Sequence, residues 1–210
     1  MNANDISKNN RQRKYKLFIE KINPSEKDLI LDIGFANLEY SPVDNYLEKN
    51  YPYPSNITAL GVVEADIFKK NYPLVKVVIY DGSKFPFDDN SFDIAWSNAV
   101  IEHVGNEEKQ VFFLKELART CKKFYITTPN RLFPFELHTR LPFLHWLPKK
   151  IFDKILVSTS KKWAAGDYMH LLTYRKIKTL LRKAGINDYE IHRNRLFGFT
   201  IDFSIIILKK

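Results

Sequence analysis

The chain has 210 residues, a formal net charge of +9 and one cysteine, Cys121. That length suits a single domain spanning 1–210 that can bury a full sheet between helices. One cysteine excludes an internal disulfide and any cysteine-based metal cluster, and no metal ligand set is expected. Its place just ahead of an apolar strand reads as an inert core thiol. No apolar run approaches the roughly 20 residues needed to span a bilayer. The polar start Met1 to Arg13 lacks the apolar core of a signal peptide, so the cytoplasm is the expected compartment.

In chain order, Ser7 to Ile22 is a basic amphipathic segment that reads as a helix stopped by Asn23-Pro24, packing across the sheet edge or over a ligand. Leu29 to Ile33 is an apolar run broken only by Asp32, which suits a parallel strand covered on both faces. An acid is costly to bury without a partner, so Asp32 is expected at the mouth of the sheet, where an open α/β fold leaves a crevice for ligands. The turn Gly34-Phe35-Ala36-Asn37 then lets the backbone come close to whatever lies there. Tyr40 to Lys49 reads as a short helix starting near Ser41-Pro42, and Tyr51-Pro-Tyr-Pro54 as a stiff connector into a second strand, Asn56 to Val63. Leu74 to Tyr80 and Phe92 to Asn98 read as the third and fourth strands. Glu107 to Thr120 carries a helical stripe of Val111, Phe112, Leu114, Leu117 and Ala118 facing the sheet, and Lys123 to Thr128 is the fifth strand.

One segment is specific: Asp81-Gly-Ser-Lys-Phe-Pro-Phe-Asp-Asp-Asn-Ser-Phe-Asp-Ile-Ala-Trp-Ser-Asn-Ala-Val-Ile-Glu-His103. Behind an acid-Gly strand end, it resembles the central part of class I S-adenosylmethionine-dependent methyltransferases, particularly the type 11 group, and the resemblance runs roughly from Leu29 to Ile186. It implies an α/β, Rossmann-like, seven-stranded, mostly parallel sheet with helices on both faces and an antiparallel final strand. It also implies an enzyme with S-adenosylmethionine as cofactor. By the resemblance, Asp81 accepts from the exocyclic amine of adenine while the backbone near Gly82 and Ser83 reads the ring edge; the rival reading is a plain Asp-Gly turn. The second strand of the family ends in an acid that binds both ribose hydroxyls. Here Gly61 or Val63 falls at that point, so Glu64 is the replacement candidate and Asp66 the next, unless both only favour the first turn of the following helix. Ser97 and Asn98 would contact the methionine part of the cofactor or face the acceptor. His103 would serve the site or pin its loop by hydrogen bonds. The cofactor is thus expected across the crest of the sheet between Asp32 and Asp81, over Gly34, Phe35 and Ala36. Methyltransferases acting on base amines carry Asp/Asn-Pro-Pro-aromatic at the fourth strand's end, and those acting on cytosine carbon carry Pro-Cys. Ser97-Asn-Ala-Val100 is neither, which argues against a nucleic-acid substrate despite the charge.

Thr127-Thr-Pro-Asn-Arg-Leu-Phe-Pro-Phe-Glu-Leu-His138 resembles a subset of the type 11 group, often associated with surface polysaccharide synthesis, in which this loop leans over the cofactor from the acceptor side. Methyl transfer to a hydroxyl needs alignment, exclusion of water and a base. His138 is the general-base candidate and Glu136 its orienter or an acceptor anchor; the alternative is that His138 fastens an irregular loop. His145 and His170 are weaker versions of the same argument. An anionic acceptor would need no base and would bring Arg131 or Arg140 forward. Within the insertion at about 131–165, the stretch 131–163 holds seven Lys and Arg against Glu136 and Asp153, which is +5 of the total. Its interleaved aromatics suit a lid, a peripheral contact with the inner face of an anionic membrane, or plain packing on the domain. Thr173 is the expected cap of the last helix and Gly185 its stop, before closing strands Tyr189 to Leu196 and Ile201 to Leu208. The resulting reading is O-methylation of a small-molecule, sugar or glycan-related acceptor. The rival is a non-catalytic module of the same fold that binds a partner or an anionic membrane surface.

Overall fold

The apolar runs become strands that pair in the order β3-β2-β1-β4-β5-β7-β6 in a computed structural model describing residues 3–136, 138, 139 and 141–208. Ile30–Ile33 (β1), Ile57–Gly61 (β2), Lys76–Ile79 (β3), Phe92–Asn98 (β4) and Cys121–Pro129 (β5) run parallel. Phe199–Leu208 (β7) is antiparallel to β5 and to Glu190–Leu196 (β6). The chain reverses its direction of travel across the sheet between β1 and β4, and such a switch point opens a crevice beyond the carboxyl ends of the strands.

Side chains alternate along a strand, and β1 divides the core accordingly. Leu31 and Ile33 enter one apolar layer with Phe113, Leu114 and Leu117 of Glu107–Thr120 (α4) and Ile177, Leu180 and Leu181 of Tyr174–Lys183 (α6). Ile30 enters the opposite layer with Phe18 and Ile22 of Ala3–Ile22 (α1), Leu47 of Tyr46–Asn50 (α2) and Phe68 of Asp66–Asn71 (α3). α1 therefore lies on a sheet face. Phe18 is fully buried there, edge-on to Trp96 at 4.9 Å and to Tyr125 at 5.6 Å, and those two rings stack at 5.2 Å. Polar contacts fix the same helix: Asn10 Nδ2 and Lys14 Nζ both reach Asp202 Oδ2 on β7.

Most elements lie where the sequence puts them, and the differences have local causes. α2 starts at Tyr46 rather than near Ser41 because Asp44 Oδ2 accepts from the Tyr40 and Ser41 amides and Asn45 sits at φ 49°, which together hold a turn before the helix. The second strand stops at Gly61, and Val62 and Val63 are exposed in the turn beyond it. Thr173 caps α6 by accepting from the Lys176 amide, and Gly185 at φ +79° follows its end, as expected. Cys121 is buried at the start of β5. Residues 131–165 carry a helix, Lys149–Val157 (α5), and a small core of Phe152, Leu156, Ala164 and Met169 separate from the two main layers. Among the described residues no helix is long and apolar enough to cross a membrane.

Truncating Phe18→Ala would leave a void between Trp96 and Tyr125. The expected loss is about 3–5 kcal/mol of unfolding free energy, read in urea as a lower midpoint at unchanged slope. A loss under about 1 kcal/mol would contradict this packing.

Candidate functional site

A hollow of about 800 Å³ opens beyond the carboxyl ends of β1, β2 and β3. Leu60, Phe85 and Phe113 give it an apolar floor, while Gly34, Asp81 and Gly82 bring backbone and one carboxylate to its rim. Glycine is required at the first of these. Gly34 sits at φ +90°, and a Cβ there would come within 2.5 Å of Val100 Cγ2. Asp81 Oδ1 accepts from the Ser83 amide at 2.9 Å and the Ser83 hydroxyl at 2.5 Å, which holds the carboxyl below its ordinary range. His103 closes the opposite side. Glu108, Lys109 and Phe112 of α4 also line the hollow, and the sequence reading missed all three. Phe112 shares the apolar helical stripe but is 44 % exposed at the hollow's edge instead of facing the sheet.

Of the expected cofactor residues, Gly34, Asp81, Gly82 and His103 meet around this hollow, and the others do not line it. Asp32 follows Ile30 onto the α1–α2 face, away from the hollow. It is buried there with Glu48 of α2, whose carboxylate oxygens have no hydrogen-bond donor among the described residues, and desolvation together with the second acid pushes the Asp32 carboxyl well up. Phe35 turns inward to pack, tilted, on Phe68 at 4.4 Å, against Gly61, where a Cβ would collide with its ring at 2.5 Å. Ala36 is pinned at both backbone groups by the Asn45 side chain, and Asn37 Oδ1 caps α3 through the Ile67 and Phe68 amides. The turn after β1 is thus occupied with structural contacts. Glu64 and Asp66 are exposed beyond the wall formed by Gly61 and Val62. Ser97 is fully buried, and Asn98 Oδ1 accepts from Thr127 Oγ1 within the sheet.

A chain of polar groups adjoins the hollow at His103. Its Nε2 lies 3.1 Å from His138 Nε2, and its Nδ1 lies 2.8 Å from the Tyr168 carbonyl. His138 Nδ1 lies 2.8 Å from Glu136 Oε1, and the buried Glu136 also accepts from the backbone amides of His138 and Thr139. Burial alone would raise the Glu136 carboxyl, but these donors and the adjacent imidazole hold it down at about 2. Burial likewise opposes charge on His138, yet Glu136 and Glu102 outweigh it and leave the imidazole raised. Glu102, fully buried, takes a hydrogen bond from Thr128 Oγ1 at 2.9 Å, and desolvation raises its carboxyl. The Glu136–His138 pairing foreseen from the sequence is present; its junction with Glu102 and His103 was not foreseen.

Tyr168, just beyond the insertion, also borders this cluster, its ring 4.8 Å from His103 and 5.2 Å from Trp163. Arg131, His145 and His170 border a second hollow of about 330 Å³. Arg131 is spent on the His145 and Leu147 carbonyls, and His145 Nε2 on the Phe133 carbonyl. Arg140 lies outside the described residues.

Residues 43–124 match the family model described as a methyltransferase domain. No curated protein sequence matches the chain. Among solved structures, the chain is similar to an S-adenosylmethionine-dependent methyltransferase from Aquifex aeolicus, with 18% identity, TM-score 0.56, and 92% of this chain and 87% of that one covered. It is similar to another from Methanosarcina mazei, with 17% identity, TM-score 0.56 and 89% and 95% covered. A third is the 1,6-didemethyltoxoflavin-N1-methyltransferase of Burkholderia thailandensis, solved with S-adenosylhomocysteine, with 14% identity, TM-score 0.58 and 94% and 76% covered. These likenesses establish the fold.

The buried acid pair yields a pH-dependent test. Carboxyls whose folded values are raised bind protons more tightly in the folded state, so stability falls as pH rises above their unfolded value. Glu48→Gln removes one charge and gives Asp32 a donor. The variant should match the parent near about pH 4 and exceed it by about 1–3 kcal/mol at neutral or higher pH, read by thermal melts across that range. Equal stability of the two proteins at every pH would contradict the buried pair.

Proposed function

We propose that this chain, which carries a methyltransferase domain in the fold of S-adenosylmethionine-dependent methyltransferases, binds that cofactor in the 800 Å³ hollow and methylates an oxygen on a small, sugar or glycan-related acceptor. The residues present suit the group. The apolar floor of Leu60 and Phe85 accommodates a purine, Asp81 Oδ2 can accept from its amine while Oδ1 holds Ser83, and the glycine backbone at 34 and 82 admits close approach. The double acceptor usual for a ribose is missing from the wall at Val62, so the sugar edge has to rely on other groups. When bound, the cofactor supplies a methyl group already activated by its sulfonium.

The chain's own contribution is positioning and a place for the acceptor's proton. The observation that carries this is the line Glu136–His138–His103, which ends on the hollow's wall. Glu136 fixes the ring of His138 by taking its Nδ1 proton in a hydrogen bond and directs Nε2 toward His103. An acceptor hydroxyl that reaches the gap beside His103 gives its proton directly to His138 Nε2, because His103 Nδ1 is held by the Tyr168 carbonyl. Tyr168, packed against His103 and Trp163, borders this side and could close further over a bound acceptor.

Calorimetry with S-adenosylmethionine and S-adenosylhomocysteine tests the cofactor, and a screen of donor consumption against pooled glycans, nucleotide sugars and lipid extracts finds the acceptor. With that acceptor in hand, His138→Ala should keep donor affinity within about twofold and lower turnover by about 10²–10⁴-fold. Unchanged turnover would refute the base assignment. Absence of donor binding would favour the rival, a non-catalytic module.

A further inference from the structure

We propose that Glu102, His103 and His138 bind one divalent first-row cation at the edge of the hollow. The three residues offer ligand atoms that all lie within 4.8 Å of one another. Nothing in their spacing announces this. Glu102 and His103 share the short turn Ile101–His103 after β4, while His138 comes from the insertion.

The hydrogen-bond partners fix which atoms face the gap. The Tyr168 carbonyl can only accept, so His103 Nδ1 carries a hydrogen and its Nε2 presents a lone pair. His138 Nδ1 donates to the Glu136 carboxylate, which already collects two backbone amides, and its Nε2 presents a second lone pair. These nitrogens stand 3.1 Å apart with the rings at 88° to each other. Two nitrogens each about 2.1 Å from one ion, at about 90° to one another, are separated by about 3.0 Å. The outer ring nitrogens end on a carbonyl and a carboxylate, the partners that orient imidazoles toward metals.

Glu102 is the independent observation. Its side chain is fully buried, Oε2 is held by Thr128, and Oε1 has no hydrogen-bond partner among the described residues although it lies 4.0 Å from His103 Nε2. A proton shared between the two imidazoles would satisfy both nitrogens and leave Oε1 without a hydrogen bond. A cation satisfies all three atoms. Two imidazoles favour a borderline ion such as Zn²⁺ over Mg²⁺ or Ca²⁺, and the carboxylate with an angle near 90° also admits six-coordinate Mn²⁺. A bound ion takes the His138 Nε2 lone pair and so replaces the base role proposed above, and with three protein ligands it keeps positions for water or for an oxygen of the acceptor. That last consequence rests on the oxygen-acceptor reading above; binding of the ion does not.

The test uses the full chain stripped with EDTA and titrated calorimetrically with ZnCl₂ or MnCl₂ alone, with S-adenosylhomocysteine binding measured in parallel. One ion per chain is expected with micromolar or tighter affinity. His103→Ala and His138→Ala should each weaken it by about 100-fold, and Glu136→Gln by about 10–100-fold through the orientation of His138. Co²⁺ bound in place of Zn²⁺ should give visible absorption that His138→Ala abolishes. Because Glu102→Gln could disturb the buried turn, the two histidine variants carry the result, with far-ultraviolet circular dichroism as the fold check. Failure of the parent protein to bind either ion at millimolar concentration would overturn the proposal, as would histidine variants that bind like the parent. Ion binding without S-adenosylhomocysteine binding would sustain the metal site and remove the cofactor reading; the reverse would do the opposite.

Discussion

A sheet covered on both faces leaves its polar side chains few places other than the carboxyl edge, and the site follows from that constraint. β1, β4 and β5 are buried almost throughout, and their polar residues crowd toward the ends: Asp32, Ser97, Thr127, Thr128 and, one turn further, Glu102. Each has to find a partner or carry the cost of desolvation. Thr127 and Thr128 find theirs in Asn98 and Glu102, which ties the ends of β4 and β5 together. The same crowding leaves Asp32 against Glu48 and Glu102 Oε1 without a donor among the described residues.

The face on which each group lies was harder to read than the strands themselves. β4 and α4 fall on the residues that periodicity gives them, because Phe92–Asn98 and Glu107–Thr120 have unambiguous apolar spacing. Asp32 was legible as an acid at a strand end, yet its direction depends on which face Leu31 and Ile33 take, and that is a tertiary choice. Phe35 shows the same limit. A Gly-Phe-Ala turn suggests backbone bared to a ligand, but the ring finds Gly61 and Phe68, which are distant in sequence, and folds under the sheet edge. Glu136 and His138 were legible because two residues in one loop can pair locally. Their meeting with Glu102 and His103 required β5 to lie beside β4, a fact of topology that local pattern does not contain.

The insertion repeats this lesson with charge. Its +5 suggests an electrostatic surface, but Lys149 is committed to Asp153 and the Gly166 carbonyl, and Arg131 to two carbonyls. The remaining lysines, such as Lys150, Lys154 and Lys162, are exposed around a small apolar core. Phe143, Trp146 and Trp163 stay about half exposed, while Phe133 and Phe152 are buried. The segment is therefore a folded attachment that uses some aromatics inwardly and some at its surface, and Tyr168 just beyond it packs against His103.

Half of the polar cluster belongs to the sheet and half to this attachment. Glu102 and His103 are placed by the turn after β4, whose backbone is held by Gln110 from α4 and by the His170 amide. His138 and the Tyr168 carbonyl come from 131–168. Any group that bridges the two imidazoles, whether a proton or an ion, therefore also fastens the insertion to the domain beside the hollow. Coupling of this kind makes the placement of this attachment depend on what occupies the cluster, because a ligand shifts a conformational equilibrium only by its differential interaction with the two states. The glycine rim at 34 and 82 needs no such fastening, since sheet register and the Val100 contact set it already. The rim of the hollow is thus built by the sheet and its turns, and the polar cluster beside it by a junction between the sheet and the insertion.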